Sequence, residues 1–232
     1  MTVLLESKEI KKCVQLNEQL IPVIEDAFKN LAVGKTIMPP ILRLDVHKYN
    51  GETDVKTAYI EGLDSYAIKV ASGFFNNPKL GLPSSNGLMI LLDSQTGFLK
   101  SVLLDKGYLT DVRTAIAGAI AAKHLSNKEA SNAGIIGAGI QAKMQLEALL
   151  LVRKIKSANL WSRDSEKTKI FAENNQAIGA LAYYRNNGKL VVIEAKAIIV
   201  STGGIGKSYR ITSNSWEYTG DGPVSYTHLR AH

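Results

Sequence analysis

Residues 132–142 read NAGIIGAGIQA, and the reading of this stretch decides the fold. Residues 133–136 form a short run without polar side chains, of the kind that makes a buried strand, and it leads directly into Gly137-Ala138-Gly139. QAKMQLEALLLVRK (141–154) follows as a helix and SANLWSR (157–163) as a second strand. A strand, turn, helix, strand unit requires a parallel sheet, and further strands and helices to cover its faces. Gly137 to Ala142 matches G-x-G-x-x-G/A at the junction of strand and helix. In that pattern Gly137 permits the tight turn, Gly139 lets backbone approach a pyrophosphate, and the small Ala142 allows close packing of helix on strand. The unpaired N–H groups of the first helical turn then hold phosphate. Gly137, Ala138, Gly139, Ile140 and Gln141 are therefore candidate cofactor-binding residues.

In an NAD-binding unit the second strand ends in an acidic residue that grips the ribose 2′-hydroxyl. Here it ends Ser162-Arg163-Asp164. Ser162 and Arg163 suit a 2′-phosphate, whereas Asp164 suits a free ribose and leaves Arg163 as a solvated loop residue, so both NAD and NADP stay open.

The region before this unit has a different character. Leu20, Ile24, Ala27, Phe28 and Leu31 recur at spacings of three and four, which predicts a helix ending near Gly34, started or kinked by Pro22. TAYIEG and SYAIKVAS are strand-like, FFNNPKLGLPSSNG is rich in turn residues, and LMILLD and FLKSVLLD flank SQTG as a β-hairpin. LTDVRTAIAGAIAAKHLS predicts a helix through Leu125 with Thr110 as its N-cap.

The totals narrow the function classes. At 232 residues, with 45% hydrophobic and 21% charged residues, the chain suits one large or two small globular domains. No apolar run approaches the roughly 20 residues of a membrane span. Residues 1–12 lack a signal-peptide pattern, so the expected setting is cytoplasmic and without a membrane partner. The net charge of +7 is diffuse, with no basic stripe interleaved with aromatics, which argues against nucleic acid. The single cysteine, Cys13, excludes an internal disulfide and zinc-finger spacing. Beside Lys11 and Lys12 it reads as a small buried or half-buried thiol, with a reactive thiol as the alternative. No metal site is expected.

Three cations attract attention. Lys69 sits among apolar and small neighbours, where desolvation would lower its pKa toward acid-base use; an edge strand with Lys69 in water is the alternative. Arg113 falls in the first turn of its expected helix, a position a cation disfavours unless a bound carboxylate compensates. Arg43 follows the rigid Pro39-Pro40 and is a third candidate carboxylate clamp.

MPPILRL, AIKVASGFFNNPKLGLPSSNGLMILLDSQTG, LLDKGYLTDVRTAIAGAIAAKHL and GIIGAGIQA occur in this order. Together they resemble the ornithine cyclodeaminase and mu-crystallin family over residues 1–177, and FFNNPKLGLPSSNGLM is most similar to its ectoine-utilisation branch. The resemblance implies an α/β chain: an α+β substrate and dimerisation domain (1–125), then the N-terminal part of a parallel-sheet Rossmann domain that holds NAD or NADP (126–177). It implies a homodimer acting on a small amino acid or cyclic imine through hydride transfer, by deamination and cyclisation or by imine reduction. A ligand-holding protein without turnover is the alternative. By the same resemblance Arg43 and Arg113 bind the substrate carboxylate, Lys69 binds substrate or moves its proton, and Ser84 or Asn86 touches the nicotinamide side of the cofactor.

After FAENN the resemblance changes. Residues 178–222, with YYRNNGKLVVIEAKAIIVSTGG, resemble an internal piece of a succinate dehydrogenase or fumarate reductase flavoprotein subunit, and the tail at 223–232, ending VSYTHLRAH, resembles translated sequencing adapter. The implied chain is a chimera with an incomplete cofactor domain and little activity.

Overall fold

The computed structural model describes residues 2–162, positions 166, 168 and 171, and the backbone of 197–200. Two compact units emerge, Met1–Gln15 with Pro22–Arg113, and Leu16–Ile21 with Thr114–His232. The elements run β1 (Val3–Glu6), α1 (Ser7–Cys13), α2 (Leu20–Ala32), β2 (Thr36–Ile37), β3 (Leu42–Val46), β4 (Gly51–Ile60), β5 (Ser65–Phe74), β6 (Ser85–Asp93), β7 (Leu99–Leu104) and α3 (Tyr108–Leu125). They continue with β8 (Asn132–Ile136), α4 (Ile140–Leu150), β9 (Ser157–Trp161) and β10 (Ala197–Val200). The chain is α/β. Its division falls inside α3, where the sequence suggests a boundary after 125.

The first unit is built on a mixed sheet in the order β1-β7-β6-β5-β4-β2, with β3 also paired to β4. β3 through β7 pair antiparallel and β1 joins β7 in parallel. Because side chains alternate along a strand, register separates the two faces. Val55, Val70 and Leu88 lie opposite one another on one face, as do Ile68, Ile90 and Val102. The other face carries Arg43 opposite Asp54, and Lys56 opposite Lys69. The Asp54 row continues across Ala71 to Gly87. A Cβ at Gly87 would lie 2.8 Å from the Val70 carbonyl oxygen, so only glycine fits there.

The hairpin around SQTG forms as its sequence suggests. Asp93 Oδ1 accepts from Gln95 N at 3.1 Å, Thr96 N at 2.9 Å and Thr96 Oγ1 at 2.8 Å, and these bonds hold its carboxyl pKa below the ordinary value. α2 also forms, with Pro22 in its first turn, where the missing N–H costs no helical bond. Its apolar face is incompletely covered: Ile21 is buried, while Phe28 and Leu31 are exposed. Cys13, expected to be at least half-buried, is exposed at the end of α1. That short helix buries only Ile10.

In the second unit β8 stands between β9 and β10, and both pair with it in parallel. A core of Ala133, Ile135, Ala142, Leu146, Leu149, Ala158, Leu160 and Phe171 fills the space under α4. Gln145, also on α4, donates to the Thr114 carbonyl at 3.0 Å, and Gly118 leaves room for its side chain. Residues 178–222 and the tail lie outside the described residues except for 197–200. Those four join the sheet in regular register, Ala197 opposite Ala133 through Val200 opposite Ile136.

Candidate functional site

Lys69 lies on β5, flanked by β4 and β6, so the edge-strand alternative does not apply. Its Nζ donates to Thr110 Oγ1 at 3.4 Å. Burial is the main reason its pKa falls to about 8, the positive charges of Lys56 and Arg113 lower it further, and Asp105 and Asp54 pull the other way. An amine with this pKa exists in both protonation states near neutral pH, which general acid-base work requires.

α3 starts earlier than its sequence suggests. Its first residue is Tyr108, and capping falls to Asp105 rather than Thr110: Asp105 Oδ2 accepts from Leu109 N at 2.8 Å and its carbonyl accepts from Tyr108 N at 3.1 Å. The intervening turn, with φ of 55° at Lys106 and 88° at Gly107, carries the Asp105 carboxylate over the helix start. Thr110 is thus a first-turn residue whose hydroxyl meets Lys69, and Arg113 lies beyond the first turn. The dipole argument for Arg113 therefore weakens, and another replaces it. Part of Arg113 remains exposed, yet enough protein surrounds the guanidinium for desolvation to lower its pKa. Among the described residues no carboxylate forms an ion pair with it. Thr110 and Arg113 are three apart and share one side of α3, so Arg113 lies on the side of the helix that meets Lys69.

Arg43 is placed differently from a free clamp. Its Nε donates to Asp45 Oδ1 at 2.9 Å and its Nη2 to Glu52 Oε2 at 2.6 Å. Burial pulls its pKa down, but the two carboxylates outweigh that effect and leave it raised. Only Nη1 lacks a partner, and it is sealed from the surface. Asp105 and Asp54 each hold one buried, unpartnered oxygen as well. Ser84 is half-buried and its carbonyl accepts from Phe74 N at 2.7 Å, while Asn86 is exposed and its Oδ1 accepts from Gly87 N at 2.8 Å.

Lys56, Asp54 and Asp105 act on Lys69 and are candidates that the sequence reading passed over. For the first two a signal exists: in GETDVKTAYI the charges recur at every second position, the mark of a charged sheet face. Asp105 had no such mark, because its role depends on the turn that follows it.

The glycine loop of the second unit has the geometry its sequence suggests. Gly137 adopts φ 123°, open to glycine alone, and its N–H donates to the Trp161 carbonyl at 2.7 Å. Gly139 precedes α4, with φ −88° and ψ −177°. A Cβ built there would meet no protein atom within 4 Å, so the missing side chain opens a space that protein does not fill. Ala142 is 1% exposed and packs into the core under α4. β9 and β10 lie on opposite sides of β8, so the strand order reverses there, and in open parallel sheets ligands occupy the crevice at the carboxyl end of such a reversal. The loop follows that end of β8. These features fit a dinucleotide pyrophosphate. Ser162 lies just after β9, its hydroxyl 2.6 Å from Thr168 Oγ1. Arg163 and Asp164 lie outside the described residues.

The sequence model of the ornithine cyclodeaminase/mu-crystallin family matches residues 1–208, past residue 177. A putative dehydrogenase of Rhizobium meliloti is 54% identical over 169 residues, covering 73% of this chain and 51% of that protein. The structure of the Thermococcus litoralis Δ1-pyrroline-2-carboxylate reductase in complex with NADH and L-proline superposes with a TM-score of 0.75 at 31% identity, covering 85% of this chain and 61% of that one. An archaeal alanine dehydrogenase dimer with bound NAD gives 0.70 at 32% identity, covering 78% and 55%. The chain thus spans between half and two thirds of the length of these relatives. With its glycine loop and its ordered run of motifs, the chain belongs to the ornithine cyclodeaminase/mu-crystallin family.

Proposed function

We propose that the chain is the substrate-binding and nucleotide-binding part of an NAD(P)-dependent enzyme acting on a small amino acid or imine. The observation that carries this reading is Lys69, a desolvated amine held by Thr110 and accompanied by Arg113, a cation with no carboxylate partner among the described residues. Arg113 is assigned the substrate carboxylate, which a guanidinium grips through two parallel bonds. Lys69 gives or takes the proton at the substrate nitrogen. Arg43 enters as a second clamp once Asp45, 39% exposed, swings aside and frees Nε. Ser84 and Asn86 are assigned to the nicotinamide side. When bound, the nicotinamide supplies or removes hydride at the substrate carbon. Incubating the chain with NADH or NADPH and either Δ1-pyrroline-2-carboxylate or pyruvate with ammonia, and following the nicotinamide absorbance, tests the reading. No oxidation with any pairing would count against it.

The nucleotide half has its own test. Gly139 has an extended backbone that any residue adopts, and a side chain there meets no protein. Gly139→Val is therefore expected to keep the fold while filling the cradle, lowering NADH affinity at least about tenfold, as loss of backbone contact with a bound anion should. Titration of NADH fluorescence, beside an unchanged circular dichroism spectrum, checks this. Wild-type affinity in the variant would remove the loop from the reading.

A homodimer belongs to the same proposal. The apolar face of the first sheet is only half-covered, and Leu4, Leu42 and Leu44 on it are 60%, 63% and 59% exposed. Sedimentation equilibrium is expected to give the mass of two chains; a single-chain mass at micromolar concentration would refute it.

A further inference from the structure

Asp105 is 1% exposed, and its two carboxylate oxygens have different surroundings. Oδ2 accepts from Leu109 N at 2.8 Å and so starts α3, whereas Oδ1 is sealed from the surface without a hydrogen-bond partner. Capping alone does not call for a buried charge, since asparagine and serine cap a helix equally well. A buried carboxylate with an unpartnered oxygen is costly unless positive charge compensates it. Among the described residues no lysine or arginine forms an ion pair with Asp105, and the amine on which it acts is that of Lys69. Of the two carboxylates that draw that amine toward its charged form, Asp105 has the larger effect, and Asp54 has Lys56 Nζ at 3.1 Å.

Register brings the pair together. Lys69 stands opposite Met89, and Met89 opposite Leu103. Asp105 comes two residues after Leu103 and continues the same face one step past the end of β7. The turn that follows rests on β6, with Gly107 Cα 3.8 Å from where a Cβ of Gly87 would stand. That contact and the left-handed backbone of Lys106 and Gly107 fix the carboxylate, and the helix it starts brings Thr110 Oγ1 to 3.4 Å from Lys69 Nζ.

We infer that Asp105 is a positioning residue for Lys69: one oxygen fixes the start of α3, and with it Thr110, while the negative charge of the carboxylate favours the protonated amine. The inference rests on the acid-base role proposed above for Lys69. The other charged groups around that amine are Lys56 and Asp54 from β4 and Arg113 from α3. Both of those cations oppose protonation, so the charge of Asp105 keeps the ammonium form populated near neutral pH.

Titration of the full chain, isotope-labelled at lysine Cε and followed by nuclear magnetic resonance, tests this without requiring turnover. The Lys69 signal is identified by its loss in Lys69→Met, and in the wild type it is expected to titrate at about pH 8. Asp105→Asn keeps an acceptor for Leu109 N but removes the charge, and Asp105→Ser does so in a smaller volume. Both variants are expected to fold and to weaken proton binding at Lys69 about tenfold, the low end for loss of a nearby opposite charge. A cap with no other role would leave that titration unmoved. A folded neutral variant that titrates with the wild type therefore overturns the inference and leaves the acid-base role of Lys69 standing. If neither neutral variant folds, the charge serves the helix rather than Lys69, and the inference fails in that case too. A wild-type signal at the ordinary value of 10.5 would sink both.

Discussion

On the function proposed above, Lys69→Met is expected to lower turnover sharply and, at neutral pH, to make the protein more stable. The native state holds the lysine with a pKa of about 8, whereas its ordinary value is 10.5. Between those two values the unfolded chain binds more protons than the folded one, so the contribution of this residue to stability rises with pH across the window. Below about pH 8 both states are protonated and the folded state bears the whole penalty; above 10.5 it bears none. At about 1.4 kcal/mol per unit the full displacement would exceed 3 kcal/mol, but water still reaches part of the side chain, and a discounted figure of about 1 to 2 kcal/mol is the better expectation. Methionine keeps the length of the stem and removes the charge. Its melting temperature should exceed that of the wild type at pH 7, and the gap should close as pH rises through 10.5. Turnover should fall by about 10² to 10⁴, the range for loss of a general acid-base group. A variant that melts lower than wild type at pH 7 would show that Lys69 is not a desolvated cation.

Arg153→Met is expected to cost about 3 kcal/mol of stability, although the residue touches no proposed ligand. The last turn of a helix leaves its carbonyl groups without internal partners. Arg153 supplies several for α3: Nη2 donates to the carbonyls of Ala122 and Lys123, each at 2.9 Å, and of Ser126 at 3.2 Å. Nε donates to Ser126 Oγ at 3.0 Å and to the Asn127 carbonyl at 3.2 Å. A fixed cation at this end also complements the helix dipole. Arg153→Lys should recover less than half of the loss, because an ammonium cannot fork across separate carbonyls. Urea unfolding followed by circular dichroism would read both variants as a lowered midpoint. A loss below about 0.5 kcal/mol would mean that water serves those carbonyls equally well.

Much of the cofactor unit was legible in sequence because its requirements are local. A strand followed by Gly137, an open position at Gly139 and a small residue at Ala142 answer to backbone angle and close packing, and each is decided within a few residues. The hairpin closed by Asp93 is local in the same sense. Lys69 was legible as a candidate from its apolar neighbours, but its partners were not, since Lys56, Asp54 and Thr110 come from other segments. Thr110 was misplaced as an N-cap for the same reason: the cap is Asp105, and the turn at Lys106-Gly107 that brings it over the helix has no periodicity to announce it. Arg43 looked like a free cation because Asp45 and Glu52 become its partners only when β3 and β4 pair.

By itself, then, the amino-acid sequence determined the α/β class and the strand, glycine turn and helix of the loop at 132–142, all set by spacing along the chain. The tertiary structure alone decided which carboxylates partner which cations. Charge compensation acts over a few ångströms of space, and strand register, not sequence distance, brought Arg43 to Glu52 and set Lys56 against Lys69.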